Sequence, residues 1–343
     1  MTQTTDAALG SLAKCSAFSG PDFPLEGRLA EAQALLRDDL SAVERLLRES
    51  AAEGPVPASD AARHLVSLGG KRVRPMALLL SSACFGPVPP ASRQVAVCVE
   101  LIHSATLLHD DVIDEGTERR GEAAARIVWG NAVSVLGGDL LLTHALATAQ
   151  QHAPKLMPGL LATLRRLVDG EIVQLRGRAE LEVSEGVYWS ILRDKTAALF
   201  RFATSAGAEL AGASEKSQGL LADFGECIGM AFQLVDDLLD YSGDQTGKTM
   251  FADLRQGKLT LPLVLAVEGE PELLGLLEQI RSGDASRVAV LRQRVVQSGA
   301  CERVSAKALS YTSTAIEHLD QLPPSAARTL LHGVAQQLAD RSR

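Results

Sequence analysis

Six aspartates stand in two stretches of the same spacing: Asp110, Asp111 and Asp114, then Asp236, Asp237 and Asp240. On a helix the first and last of each set lie one turn apart on one face. Like charges so placed weaken a helix, so each set calls for a cation. A single set would be read as a solvated helix end. Here each closes a strongly apolar helix and runs into a polar loop containing glycine. Carboxylate oxygens suit hard ions such as Mg2+, which keep several waters and commonly bridge to substrate phosphates. No set of His or Cys ligands accompanies them, which argues against zinc or copper. A small group of ions shared by both sets is the reading that follows.

The basic residues supply the other half. Lys71, Arg72 and Arg74 sit in a turn after Gly69-Gly70, and Arg119-Arg120 begins five residues beyond Asp114. Lys195 lies mid-chain, and Lys248 and Lys258 follow the second acidic set. Each alone reads as an ordinary surface cation. Arginine, however, contacts phosphate bidentately and lysine supplies a mobile point charge. Carboxylates, divalent ions and cations close to them in sequence point to diphosphate chemistry, with a leaving diphosphate stabilised electrostatically.

Helices must position these groups. Apolar residues make up 46% of the chain but aromatics only 4%, a balance that favours helix–helix packing over a β-sandwich. Leu25, Leu29, Leu36, Leu40, Val43 and Leu47 recur at helical steps. Ser59 is a candidate N-cap after Gly54-Pro55-Val56-Pro57. One long apolar helix is predicted from Ala91 to Ile113, others over 131–151, 157–178, 185–211 and 215–242, with short helical pieces after Pro262. No strand-period stretch stands out. The net charge of −8 argues against a nucleic-acid binder. Five scattered cysteines without a C-x-x-C pair suggest a reduced, cytoplasmic protein, and no apolar run reaches the roughly 18 residues of a membrane span. Residues 1–24 read as disordered and 25–343 as one helical domain.

Between Gly69 and Pro262 the chain resembles the trans-type isoprenyl diphosphate synthases, or polyprenyl synthetases. The matching stretches are Gly69 to Pro75, Ile102 to Asp114, Arg119-Arg120-Gly121, Gly170 to Leu175, Lys195-Thr196-Ala197, Phe232 to Tyr241 and Gly257 to Pro262. The resemblance implies an all-α fold, a single large bundle of ten or more helices around a central cavity, and a homodimer. It also implies condensation of isopentenyl diphosphate onto an allylic diphosphate by ionisation, attack of the double bond and proton loss to the departing diphosphate.

The same resemblance assigns roles. Three Mg2+ ions are implied, with Asp110 and Asp114 as ligands, Asp111 in the same set, Asp236 holding a further ion, and Asp237 and Asp240 binding directly or through water. Arg119, Lys195 and Lys258 would clamp the allylic diphosphate with Lys248 near them, while Lys71, Arg74, His103 and Arg120 would hold isopentenyl diphosphate. Thr196 and Gln233 would face the forming carbocation, and Gln174 would support the metal ligands. His109 receives no role. In the family, bulk just before the first acidic set floors the tunnel for the growing chain. Here Ala105 and Thr106 occupy those positions, after Ile102 and Ser104, and Ala145, Ala147 and Ala149 lie on the next helix. A deep tunnel and a medium- or long-chain product follow, with transient membrane contact on product release. The alternatives are that these small residues only serve close packing, and that the product is farnesyl or geranylgeranyl diphosphate.

One stretch departs from the family pattern: Gly247-Lys248-Thr249-Met250-Phe251-Ala252-Asp253-Leu254 carries Thr249 and Phe251 where proline and glycine are usual. A class I terpene cyclase and an inactive subunit of a heteromeric synthase are the rival readings. Retention of both acidic sets and of the basic turn opposes them.

Overall fold

The computed structural model describes residues 25–181, 183–241, 259–284 and 286–341. The N-terminal segment, Lys248, Lys258, the Thr249–Phe251 departure and residues 342–343 lie outside the described residues. In chain order the helices are α1 (Leu25–Ala52), α2 (Ala58–Ser67), α3 (Val73–Ala83), α4 (Pro90–Ile113), α5 (Ala125–Trp129), α6 (Asn131–His152), α7 (Met157–Glu180), α8 (Glu185–Ile191), α9 (Ala198–Leu210), α10 (Glu215–Leu239), α11 (Leu261–Gly269), α12 (Leu273–Arg281), α13 (Arg287–Gln297), α14 (Ala300–Asp320) and α15 (Ala326–Arg341). A π-helical turn, Leu192–Ala197, joins α8 to α9. Two two-residue strands, β1 (Glu118–Arg119) and β2 (Glu122–Ala123), form an antiparallel hairpin between α4 and α5. The described residues are all-α apart from that hairpin, which no hydrophobic period announces.

Three expectations are corrected. Ser59 is not a cap: α2 begins one residue earlier, behind Pro57, and Ser59 is buried within it. The predicted helix over 185–211 is broken by the π turn. The C-terminal helices are not all short, since α14 runs for 21 residues.

The described chain forms two compact units. The first comprises residues up to Leu161 together with Phe202–Ala222 and Gln321–Gly333. Its centre is α4, which packs along α6 and against α1 and α3. Leu101, Ile102, Ala105 and Leu108 of α4 are all buried, the near-continuous apolar surface of a central helix. Glycine lets α6 approach closely. A Cβ at Gly137 would stand 3.2 Å from the Ala58 carbonyl, and one at Gly138 would overlap the His109 ring. That ring lies 3.2 Å from the Val135 carbonyl, so His109 serves the α4–α6 contact.

The second unit comprises Ala162–Arg201, Asp223–Asp320 and Val334–Arg343. Its core gathers Leu192 and Ala197 of the π turn, Met230 and Leu234 of α10, the whole apolar run Leu261–Val267 of α11, and Val304 and Ala308 of α14. Ser184 starts α8 by accepting a hydrogen bond from the Val187 amide, as an N-cap should.

Candidate active site

In the first unit the chain before α3 turns sharply. Gly69 has φ 75° and Arg72 φ 46°, left-handed conformations that are costly for arginine. The twist sends Arg72 inward and leaves Lys71 exposed. The Arg72 guanidinium, 6% exposed, donates to Glu44 of α1 at 2.6 Å, to Glu100 of α4 at 2.7 Å and to the Val66 carbonyl. Burial opposes its charge, but Glu100 and Glu44 outweigh that and hold it above the usual arginine range. Arg72 is therefore a strut between three helices. Arg74 is drawn down to about 10 by burial against the pull of Glu100, and stays cationic at neutral pH.

These arginines gather around His103. Burial first, then Arg74, Arg120, Arg119 and Arg72, push its pKa well below 6.5, so the imidazole is neutral. Gly70 completes the cluster, because a Cβ there would lie 2.9 Å from Arg72 Nη1 and 3.0 Å from Arg120 Nη2. With Arg72 committed to Glu44 and Glu100, Arg74 and Arg120 beside a neutral ring make a site for an anion.

Two helical turns further along α4 stand Asp110 and Asp114, both half-buried. Asp111, one residue on from Asp110, faces inward and is 1% exposed. Its Oδ1 accepts from Arg119 Nε at 3.0 Å and from Nη2 in a still closer contact. The β1–β2 hairpin makes this possible. Left-handed Glu115 and Arg120 and Gly121 at φ 82° fold Arg119 back over the end of α4. Gly116 closes the turn, its amide donating to the Asp111 carbonyl at 2.9 Å. Adjacent arginines thus divide: Arg119 goes to the acidic set and Arg120 to the His103 cluster.

Ala105 and Ser104 are 3% exposed, and the Thr106 hydroxyl donates to the His103 carbonyl at 2.8 Å. Ala145 and Ala149 are buried in the first unit, whereas Ala147 faces outward, so the three alanines do not form one surface.

The second unit holds the other set. The π turn carries Lys195 and Thr196, and such turns are frequent at functional sites. Two glycines make room for it: a Cβ at Gly170 of α7 would stand 2.8 Å from the Lys195 amide nitrogen, and one at Gly229 of α10 2.7 Å from Ala197 Cα. Lys195 Nζ meets the Glu171 carboxylate. Thr196 Oγ1 donates to Gln233 Oε1 at 3.3 Å, and Gln233 Nε2 donates to Asp237 Oδ1 at 3.0 Å. The other oxygen of Asp237 accepts from the Tyr188 hydroxyl at 2.7 Å and from the Leu261 amide, at the start of α11, at 3.0 Å. Asp237 is 4% exposed, and burial raises its pKa from 3.8 to about 7 although these three donors pull the other way. Burial and Asp237 hold the Tyr188 phenol well above its usual range, so it remains a donor. Asp236 is half-buried and Asp240 9% exposed. Gln174 is half-buried on α7.

The six aspartates expected as metal ligands differ in their surroundings. Both oxygens of Asp237 are engaged by protein donors, whereas Asp111 gives Oδ1 to Arg119 and keeps Oδ2 buried without a partner among the described residues. Among the described residues no three His, Cys, Asp or Glu side chains converge on one point. Asp110 and Asp114 stand one helical turn apart, the Asp114 amide donating to the Asp110 carbonyl at 2.7 Å, and Asp236 and Asp240 have the same spacing. Carboxylates so spaced suit Mg2+, which is usually held by one or two of them with substrate phosphates completing the shell. Sequence reasoning assigned nothing to Tyr188 and Glu171. Glu171 stood in a matching stretch beside Gly170, but Tyr188, seven residues before Lys195, carried no local signal.

Residues 57–297 match the polyprenyl synthetase family. The octaprenyl diphosphate synthase of Escherichia coli K12 is 36% identical over 286 residues, covering 82% of this chain and 88% of its own. A short chain isoprenyl diphosphate synthase of Methanothermobacter thermautotrophicus is 34% identical over 323 residues, covering 91% and 99%. The structure is also similar to that of a polyprenyl synthase from Caulobacter crescentus CB15 complexed with calcium and isoprenyl diphosphate. There the TM-score is 0.85 and the identity 33%, over 95% of this chain and 99% of that one.

Proposed function

The chain belongs to the polyprenyl synthetase family, and on that premise we propose that it is an Mg2+-dependent trans-polyprenyl diphosphate synthase. It condenses isopentenyl diphosphate head-to-tail onto an allylic diphosphate. One observation carries this reading. His103 with its arginines and the Asp110–Asp114 face lie seven residues apart along α4, about 10 Å at the helical rise. Two diphosphates can therefore be handled side by side on one helix.

In this reading Arg74, His103, Arg120 and Lys71 bind isopentenyl diphosphate. The neutral ring donates a hydrogen bond while the guanidiniums balance the charge. Arg119, Lys195, Lys248 and Lys258 bind the allylic diphosphate. Asp110 and Asp114 in the first unit and Asp236 and Asp240 in the second would hold Mg2+, which would supply the positive charge that makes the diphosphate a leaving group. The hydroxyl of Thr196 and the carbonyl of Gln233 turn their negative ends to the allylic cation. The departing diphosphate takes the proton.

The product is medium- or long-chain, with Ala105 and Thr106 leaving the tunnel unobstructed. Ala105→Phe should shift the distribution to shorter prenols by mass analysis of dephosphorylated product, at a packing cost of about 1–3 kcal/mol. An unchanged distribution would reject this floor. The enzyme is a cytoplasmic homodimer. Four described cysteines are unpaired, and α5 and α6 expose Ile127, Val128, Val135 and Leu136. Helix α6 is the one described helix long and apolar enough to cross a membrane, yet only 33% of its most apolar window is buried. A second copy covering that face accounts for both facts.

The test is direct: incubate the purified full chain with an allylic diphosphate, isopentenyl diphosphate and Mg2+, with EDTA as control. Linear prenyl diphosphates that disappear with EDTA are expected. Cyclic hydrocarbons would replace this reading by a terpene cyclase, and no product by a subunit needing a partner.

A further inference from the structure

We propose that Tyr188 is a positioning residue that sets the orientation of the Gln233 amide through the buried carboxylate of Asp237. The inference rests on the reaction proposed above. The Gln233 amide can face either way, and only one way presents its oxygen beside Thr196. Its orientation is decided by what Nε2 finds, and it finds Asp237 Oδ1, which accepts its hydrogen bond at 3.0 Å. Gln233 Oε1 is then the atom left to receive the Thr196 hydroxyl. Asp237 can play this part only if its own two oxygens are fixed. The Leu261 amide and the Tyr188 hydroxyl both converge on Oδ2, which leaves Oδ1 for Gln233 alone.

Tyr188 reaches this position from α8, is 8% exposed, and packs its ring edge-on to Trp189 with centroids 5.4 Å apart. The phenol is thus held by its own packing before it holds anything else. The chain of contacts runs Tyr188, Asp237, Gln233, Thr196, and only its last two members are assigned to the reacting carbon. Tyr188 touches neither substrate nor ion in this scheme, and its influence is confined to the chemical step.

The decisive variant is Tyr188→Phe, which deletes one oxygen and keeps the ring. With the full-length enzyme, kcat should fall about tenfold while KM for each diphosphate and the Mg2+ half-saturation stay within about twofold. Because the effect passes through Gln233, adding Tyr188→Phe to Gln233→Ala should lower kcat by less than about twofold further. Thermal melting of each variant checks that the protein assayed is folded. If Tyr188→Phe does not fold, Asp237→Asn serves instead. Its amide must put oxygen towards Leu261 and Tyr188 and nitrogen towards Gln233, which turns the Gln233 carbonyl away from Thr196. The same loss of kcat and the same lack of additivity are expected.

Wild-type kcat in the chosen variant would overturn the proposal. So would losses that multiply in the double variant, or a shift in Mg2+ half-saturation, which would make Asp237 act through the metal. An inactive wild-type enzyme would instead refute the assigned reaction, so the two failures are separable.

Discussion

The two acidic sets share one spacing but are secured by different chemistry. In the first, the inward aspartate, Asp111, is paired with Arg119, a cation whose side chain is 30% exposed. In the second, the inward aspartate, Asp237, is held by neutral donors from Tyr188, Gln233 and the start of α11. A charged partner that reaches the surface can exchange its carboxylate for an arriving diphosphate. Neutral buried donors have nothing to exchange, and they fix geometry instead. The first set is therefore built to respond to substrate and the second to hold a shape.

The outward aspartates should not show this difference. Asp110→Ala and Asp236→Ala should each lower turnover by roughly 100-fold or more while leaving the melting temperature close to wild type. Steady-state kinetics with circular dichroism decides it, and near-normal turnover in either would remove that residue from the metal assignment.

The inward pair should separate. Asp111→Asn leaves Arg119 without a charged partner and loosens its placement, so KM for the allylic diphosphate should rise about five- to tenfold, with kcat less affected. Asp237→Asn should do the reverse. Equal changes in kcat and KM for both variants would erase the distinction drawn between the two sets.

Part of this division was legible beforehand. Residues i and i+4 share a helix face and i+1 points roughly 100° away, so Asp111 and Asp237 could have been set apart from their neighbours by spacing alone. The helices were legible because apolar periods of 3.6 recur along the chain. The turn at Gly69-Gly70 was legible as a turn, but which cation faces inward was not. That depends on the left-handed backbone of Arg72, an expensive conformation sustained by Glu44 and Glu100 from two other helices. The π turn was hidden for a similar reason. Its space comes from Gly170 and Gly229, which lie on either side of it in sequence and become neighbours only in the fold. Tyr188 was invisible because its partner is 49 residues away.

The smallest expected effect has opposite signs in the two units. His103 is held neutral, its pKa far below 6.5, so the unfolded chain gains a proton below pH 6.5 that the folded chain refuses. That refusal costs stability as pH falls through 6.5. Asp237 keeps its proton up to about pH 7, whereas the unfolded carboxyl releases it near 3.8. Between those values the folded state binds more protons, so this group costs stability as pH rises. Denaturant melts of the ligand-free protein against pH isolate each contribution as a difference from a variant that cannot titrate. Relative to His103→Gln, wild type should lose stability as pH falls below 6.5. Relative to Asp237→Asn, it should lose stability as pH rises from 3.8 towards 7. A flat difference for His103 would mean that the arginines are too well balanced by Glu100 and Glu44 to repel a proton. A flat difference for Asp237 would mean that its three donors hold the carboxylate ionised in spite of burial.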